Sequence, residues 1–423
     1  MNYWSLYPMV GEVRDRRAVV LFELHDKSKL VHFTIEQGTK KYVVENTSMG
    51  PTRLRLSFKE DMNYQIDWYI DYQHAFRHLI NMTNHVDQLI CMSCDLLEAD
   101  TSVSMWNTIE NEVLNKTSAL LHLGDQAYCD AQYHECCDLR RRYQSMPAMQ
   151  DKLKMCYYQL YANRYCQTWA PHATVLSNTR NYFLWDDHEI CNDVVFDPTN
   201  DIHVMASQCY KDYQASFQLD DRKVINDYCW VTTLNDDITL MAIERTSQHI
   251  TVQQVCNAIE QLNANDTISR LILCFSSAPV PIPFGSAGTF YQQIKGIDKF
   301  WNQEDLIILL TWLFDWMDKR QIVICGGDLH IGVNAIYIKE NKSIPLLISS
   351  PITNQPTWDR KWIARGLRGT KYLTPDIRYV GLQARARRCY GKIDLKTLQT
   401  DIVFSKEKYP KDIVRYLKTM AKF

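Results

Sequence analysis

The chain has 423 residues, of which 46% are hydrophobic and 23% charged, and a formal net charge of −2 at pH 7. That length suits two domains, or one large domain with an appendage, around a substantial core. The near-neutral balance gives no electrostatic case for a nucleic-acid or membrane partner, and the longest strongly apolar stretch, 306–314, is far too short to span a bilayer.

The opening residues, Met1-Asn2-Tyr3-Trp4-Ser5, lack a basic segment followed by an apolar one, so no signal peptide is read. With 14 cysteines, the expectation is then a cytoplasmic protein with mostly reduced thiols. Runs at Val10–Val13, Arg17–Leu24, Leu30–Ile35, Lys41–Glu45, Thr52–Phe58 and Asn63–Ile70 are β-rich and separated by turn-like, charged segments. They predict a small β-sandwich over residues 1–84, with 71–84 as a looser connection. From residue 85 to 423, strands alternate with helical stretches, which predicts an α/β catalytic domain. Helices are expected at Asn107–Asn115, Tyr143–Gln167, Thr251–Asn263 and Asn302–Lys319, and strands at Arg270–Phe275 and Gln321–Cys325. Pro279, Pro281 and Pro283 mark an irregular loop. The basic clusters at Arg140–Arg142 and Arg385–Arg388 read as solvated faces, or else as a rim that attracts phosphate.

Four of the apolar runs end in acidic or histidine-bearing motifs. Gln88–Met92 leads into Ser93-Cys94-Asp95, and Ala119–Leu123 into Gly124-Asp125-Gln126-Ala127-Tyr128. Tyr182–Trp185 leads into Asp186-Asp187-His188-Glu189, and Gln321–Cys325 into Gly326-Gly327-Asp328-Leu329-His330. The carboxyl ends of parallel strands gather at one edge of a sheet, so these loops should converge there. Singly, each has a plain alternative: Asp125 as a helix N-cap, Tyr128 as a packed aromatic, Cys94 as a small buried hydrophobe or half of a C-x-x-C pair with Cys91. The Asp186–Glu189 run is harder to dismiss, since three carboxylates and an imidazole packed without a cation repel one another. Asp328 and His330, two apart, point to the same side of an extended segment and can share a metal.

In this order, Ser93-Cys94, Gly124–Tyr128, Trp185–Glu189 and Gly327–His330, with the weaker Ser349–Thr353, resemble the PhoD-like (alkaline phosphatase D) family of metallophosphoesterases, within the calcineurin-like superfamily. The resemblance spans roughly residues 8–395. It implies an α/β (α+β) fold with a mixed β-sandwich core flanked by helices, preceded by a small N-terminal β-sandwich. It also implies two or more metal ions, Fe³⁺ and Ca²⁺ or else Mn²⁺ or Mg²⁺. Carried over by position, Cys94, Asp125, Tyr128, Asp328 and His330 would bind the first metal. Asp125 would bridge to a second one held by Asp187, and His188 would be the general acid. Arg164 and Arg245 are candidates for holding phosphate oxygens. The superfamily's histidine between the last two motifs has no counterpart in 271–283, and Ile243 stands where the family often has Asp. The expected reaction is hydrolysis of a small-molecule phosphate ester. The alternatives are a phosphodiesterase acting on lipid, nucleotide or nucleic-acid diesters, a catalytically silent scaffold of the same fold, and a thiol enzyme using Cys94.

Overall fold

In Asn63–Ile70 every second side chain is buried, placing Tyr64, Ile66, Trp68 and Ile70 on one face and polar residues on the other, the period-2 pattern of a half-buried strand. The computed structural model describes residues 3–406 except 36–40, 47–48, 84, 100–104, 195, 220–222, 227–228, 236, 245–249, 264–267, 278, 282–300 and 318–319. The first seven strands are β1 (Trp4–Arg14), β2 (Arg17–Leu24), β3 (Val31–Ile35), β4 (Lys41–Val44), β5 (Thr52–Ser57), β6 (Asn63–Ile70) and β7 (Gln73–Asn81). They form two sheets, β1-β2-β5 and β4-β3-β6-β7. Trp4, Val20, Phe22, Phe33, Ile66 and Trp68 fill the space between them, each large side chain contributing roughly 1.5–3 kcal/mol of burial. The expected sandwich is present. It differs in two places: β1 runs 11 residues rather than four, and the connection after residue 70 contains β7.

The next elements are β8 (Gln88–Met92), α1 (Met105–Asn115), β9 (Ser118–Leu123), α2 (Asp130–Tyr143), α3 (Gln150–Trp169), α4 (Ala173–Ser177), β10 (Arg180–Leu184) and α5 (Asp201–Tyr213). After these come β11 (Lys223–Asn226), β12 (Cys229–Asn235), β13 (Ile238–Ile243), α6 (Val252–Asn263), β14 (Arg270–Ser277), α7 (Gln303–Trp316), β15 (Gln321–Gly327), β16 (Gly332–Lys339) and β17 (Lys342–Ile348). The last are α8 (Trp358–Gly366), β18 (Gly369–Tyr372), β19 (Ile377–Arg385), β20 (Cys389–Asp394) and β21 (Thr400–Phe404). The expected helix Tyr143–Gln167 is present as α3, which begins only at Gln150 after a break that includes Pro147, whose ring cannot continue a helix, and α2 before it was not anticipated.

Two mixed sheets carry these strands. One is ordered β10-β9-β8-β20-β21, with its first three strands parallel. The other is ordered β11-β12-β13-β14-β15-β17-β16-β19-β18, with β13, β14, β15 and β17 parallel. Leu89, Leu121, Tyr182, Leu240, Ile272 and Val323 lie in the core between the sheets. The helical layer on the outer face of the first sheet draws its core from α1, α3, α4 and α5, with Trp106, Tyr161, Leu176 and Tyr213. The layer outside the second sheet uses α6, α7 and α8, with Ile259, Leu310 and Ile363. This is a β-sandwich flanked by helices on both sides. Leu6, Met9 and Leu21 of the N-terminal sandwich belong to the core of the first helical layer, and Asn181 Nδ2 donates to the Val10 carbonyl at 2.7 Å. The small sandwich is therefore seated on that layer. Among the described residues, no helix is long and apolar enough to cross a membrane.

Candidate metal centre

The loops after β8, β9, β10, β15 and β17 leave the same edge of the two sheets and are laced together by backbone hydrogen bonds. Asp95 N donates to Asp125 O at 2.8 Å, Cys129 N to His188 O at 2.9 Å, and Ser349 N to Gly326 O at 2.9 Å. Two glycines make this approach possible. A Cβ on Gly124 would sit 2.7 Å from Asp186 Cβ, and one on Gly327 would sit 2.6 Å from the Leu123 carbonyl. Cys94, Asp125, Asp328 and His330 all hold φ between 54° and 61°, a region that costs non-glycine residues roughly 1–3 kcal/mol each and collects at functional sites.

Three groups of donor atoms form around Asp125, each within 4.8 Å: Cys94, Asp125 and His330; Asp125, Asp187 and His188; Asp125, Asp186 and Asp328. Asp125 is 1% exposed and Asp328 3%. On one side, Cys94 Sγ donates to Asp125 Oδ2 at 3.4 Å and lies 3.1 Å from Ser350 Oγ. Tyr128 OH lies 3.3 Å from His330 Nε2 and accepts from Asn354 Nδ2 at 3.0 Å. Burial, reinforced by the Asp125 and Asp328 charges, holds the Cys94 thiol well above the ordinary thiol range. Burial does the same for the Tyr128 phenol. Deprotonating either group therefore needs a cation. The thiol-enzyme reading loses its support, because a nucleophilic cysteine needs its pKa lowered. Cys91 of the C-x-x-C pair packs instead into the core between the sheets.

On the other side, His188 Nδ1 meets Asp130 Oδ2 at 2.8 Å. Burial pulls the imidazole's pKa down, but Asp125, Asp130 and Asp187 outweigh it and push the value up to about 9. Asp130 is itself opposed by burial, yet the His188 contact and the Asn192 N–H bring it down to about 2. Asp187 Oδ2 accepts from Asp193 N at 2.6 Å. Glu189 turns away from both corners and is fully buried, accepting from the backbone N–H groups of Asp125 (3.2 Å), Gln126 (2.7 Å) and Asp186 (2.9 Å). It ties the β9 loop to the β10 loop.

The structure thus brings together Cys94, Asp125, Tyr128, Asp187, His188, Asp328 and His330. Arg164 is 5% exposed and bound bidentately by Glu98, at 2.5 and 2.9 Å. Arg245 lies outside the described residues, as does the Pro283 end of the irregular loop. Four contributors escaped the sequence reading: Asp186, Asp130, Ser350 and Asn354. Asp186 stood inside a quoted motif. Asp130, five residues after Asp125 in the first turn of α2, carried no separate signal. Ser350 and Asn354 are polar residues of the β17 loop, which the sequence marked only as a weak match.

No protein-family profile matches the sequence, and no curated protein does. Among solved structures, PhoD superposes over 95% of this chain and 89% of its own, with a TM-score of 0.62 at 11% identity. A calcineurin-like phosphoesterase, YfkN from Bacillus subtilis, aligns over 79% of this chain and 96% of its own, at a TM-score of 0.32 and 9% identity. A β-glucuronidase from Ruminococcus gnavus aligns over 76% and 61%, at a TM-score of 0.28 and 9% identity. At these identities only the first likeness carries weight, and it concerns architecture: the chain has the fold of PhoD.

Proposed function

We propose that this chain is a metal-dependent phosphoric ester hydrolase. The observation that supports it most is the convergence of three donor groups on one buried carboxylate, Asp125, at the strand ends of a PhoD-like fold. The donor chemistry fits two ions. Cys94, Asp125, Tyr128, Asp328 and His330 would suit a ferric-type ion, and Asp125 with Asp187 would suit Ca²⁺, Mn²⁺ or Mg²⁺, while Asp186 groups with Asp125 and Asp328. When bound, such ions neutralise phosphate charge and acidify a water.

The chain's own residues do the rest. His188 carries a proton into neutral pH, and its Nδ1 bond to Asp130 leaves Nε2 to protonate the departing oxygen. Asp130 is a positioning residue, orienting the ring through one oxygen while Asn192 N holds the other at 2.9 Å. Arg164 reaches phosphate by exchanging Glu98 for substrate, and Arg245 is the second proposed phosphate contact.

The test is hydrolysis of p-nitrophenyl phosphate and bis-p-nitrophenyl phosphate by chelator-stripped protein, with Ca²⁺, Mn²⁺ or Fe³⁺ restored. Turnover should return with metal and be lost in Asp328→Ala. Turnover indifferent to chelation, or none under any metal that demonstrably binds, would reject the reading and favour a silent scaffold.

A further inference from the structure

Helix α8 starts a short stretch of chain from the metal centre. Its N-cap, Thr357, follows Asn354 by three residues, and Asn354 Nδ2 touches Tyr128 OH. At most roughly 11 Å of chain therefore separates the start of α8 from the Cys94 corner. Between residues 358 and 368 the sequence places Arg360, Lys361, Arg365 and Arg368 against one acid, Asp359, a local excess hidden by the overall charge of −2. Ile363 and Ala364 are buried and fix the helix on its sheet, leaving Lys361, Trp362, Arg365 and Arg368 outside.

Two of these side chains are arranged as a ligand surface would require. Trp362 is 55% exposed, and the Arg365 guanidinium lies over its ring, 5.1 Å from the centroid, so a largely exposed ring carries a cation over one face. Arg360 is the opposite: its Nε and Nη1 are buried, and among the described residues they have no hydrogen-bond partner.

We propose that α8 binds single-stranded nucleic acid and presents its phosphodiester bonds to the metal centre. The inference rests on the phosphoesterase reading for its chemistry. It stands on α8 for its binding. Cations interleaved with an exposed aromatic follow a phosphate backbone while giving bases a face to stack on. An anionic lipid surface would also meet cations, but it calls for a broader apolar face than one tryptophan supplies. In the reaction, water adds across a P–O bond. One fragment keeps the phosphate as a monoester, and the other leaves as an alcohol that takes up the proton from His188.

The experiment measures fluorescence anisotropy of a labelled, mixed-sequence DNA oligonucleotide titrated with the full chain in EDTA, over a series of salt concentrations. Metal-restored hydrolysis of p-nitrophenyl phosphate runs in parallel. Wild-type protein binds, and Trp362→Ala weakens binding roughly 10-fold. The Lys361→Gln/Arg365→Gln pair lowers the log–log salt slope by about 1.4, two cations at ~0.7 each. Both exposed-site variants keep wild-type p-nitrophenyl phosphate turnover. The proposal is overturned if the wild type fails to bind at low salt while that turnover is intact, or if the variants bind as tightly as wild type. Binding of phosphatidylserine vesicles in place of the oligonucleotide overturns it too. Oligonucleotide binding that depends on Trp362, with no ester hydrolysis under any metal, supports the platform and removes only the catalytic reading beneath it.

Discussion

The Cys94–Tyr128–His330 corner and the Asp187–His188 corner share Asp125 yet are built to opposite plans. The first is closed: Cys94 is fully buried, and Ser350 and Asn354 contact the Cys94 thiol and the Tyr128 phenol. Its thiol and phenol are both held protonated by burial, so it waits for a strongly polarising cation. The second, open at Asp187 with His188 itself buried, is already charged. Asp187 is half-buried, and His188 and Asp130 form an ion pair at neutral pH. The difference separates two tasks. On the proposed function, the first corner would hold an ion, and the second would meet substrate and move a proton.

Asp125→Asn should break both corners at once. It is expected to lower kcat/KM for bis-p-nitrophenyl phosphate by at least roughly 10³-fold, as loss of a central charge-stabilising group does. His188→Asn damages only the open corner. A loss of about 10²–10⁴-fold is expected with an alkyl ester, whose leaving oxygen needs a proton. The loss should be far smaller with a p-nitrophenyl ester, and equal losses on the two would remove His188 from the acid role. Glu189→Ala attacks what joins the corners. It leaves the buried N–H groups of Asp125, Gln126 and Asp186 without their acceptor, at a cost of about 4 kcal/mol in chemical denaturation.

A pH series on chelator-treated protein sharpens the contrast further. The His188 pKa rises from an unfolded value near 6.5 to about 9 in the fold. Its contribution, up to about 3 kcal/mol, is therefore fully present below pH 6.5 and lost as pH rises through 9. Thermal melts should show that decline in wild type and a flatter profile in His188→Asn. Identical profiles would mean the ring is not held charged.

The site was more legible than the scaffold around it. Asp125, His188, Asp328 and His330 could be read because each follows an apolar strand, and strand ends in a parallel sheet have one place to go. Asp130 and Asn354 could not, since their roles arise from contacts to His188 and Tyr128 rather than from local pattern. Glu189 shows the converse. Within an acidic run it reads as one more charge at the site, yet it faces inward as a backbone acceptor. The missed strand β7 has a plainer cause. Asp71 and Tyr72 both take positive φ between the paired residues Ile70 and Gln73, a two-residue hairpin turn without the Asn-Gly or Asp-Gly that usually announces one. Asp15 and Arg16 do the same between β1 and β2.

The most direct measurement is metal content after stripping and reconstitution, in wild type, His330→Ala, Asp187→Ala and Asp125→Asn. Two ions per chain are predicted for wild type, with one lost in each of the first two variants and both weakened in Asp125→Asn. A wild type that retains no more metal than Asp125→Asn would contradict a centre built on that carboxylate.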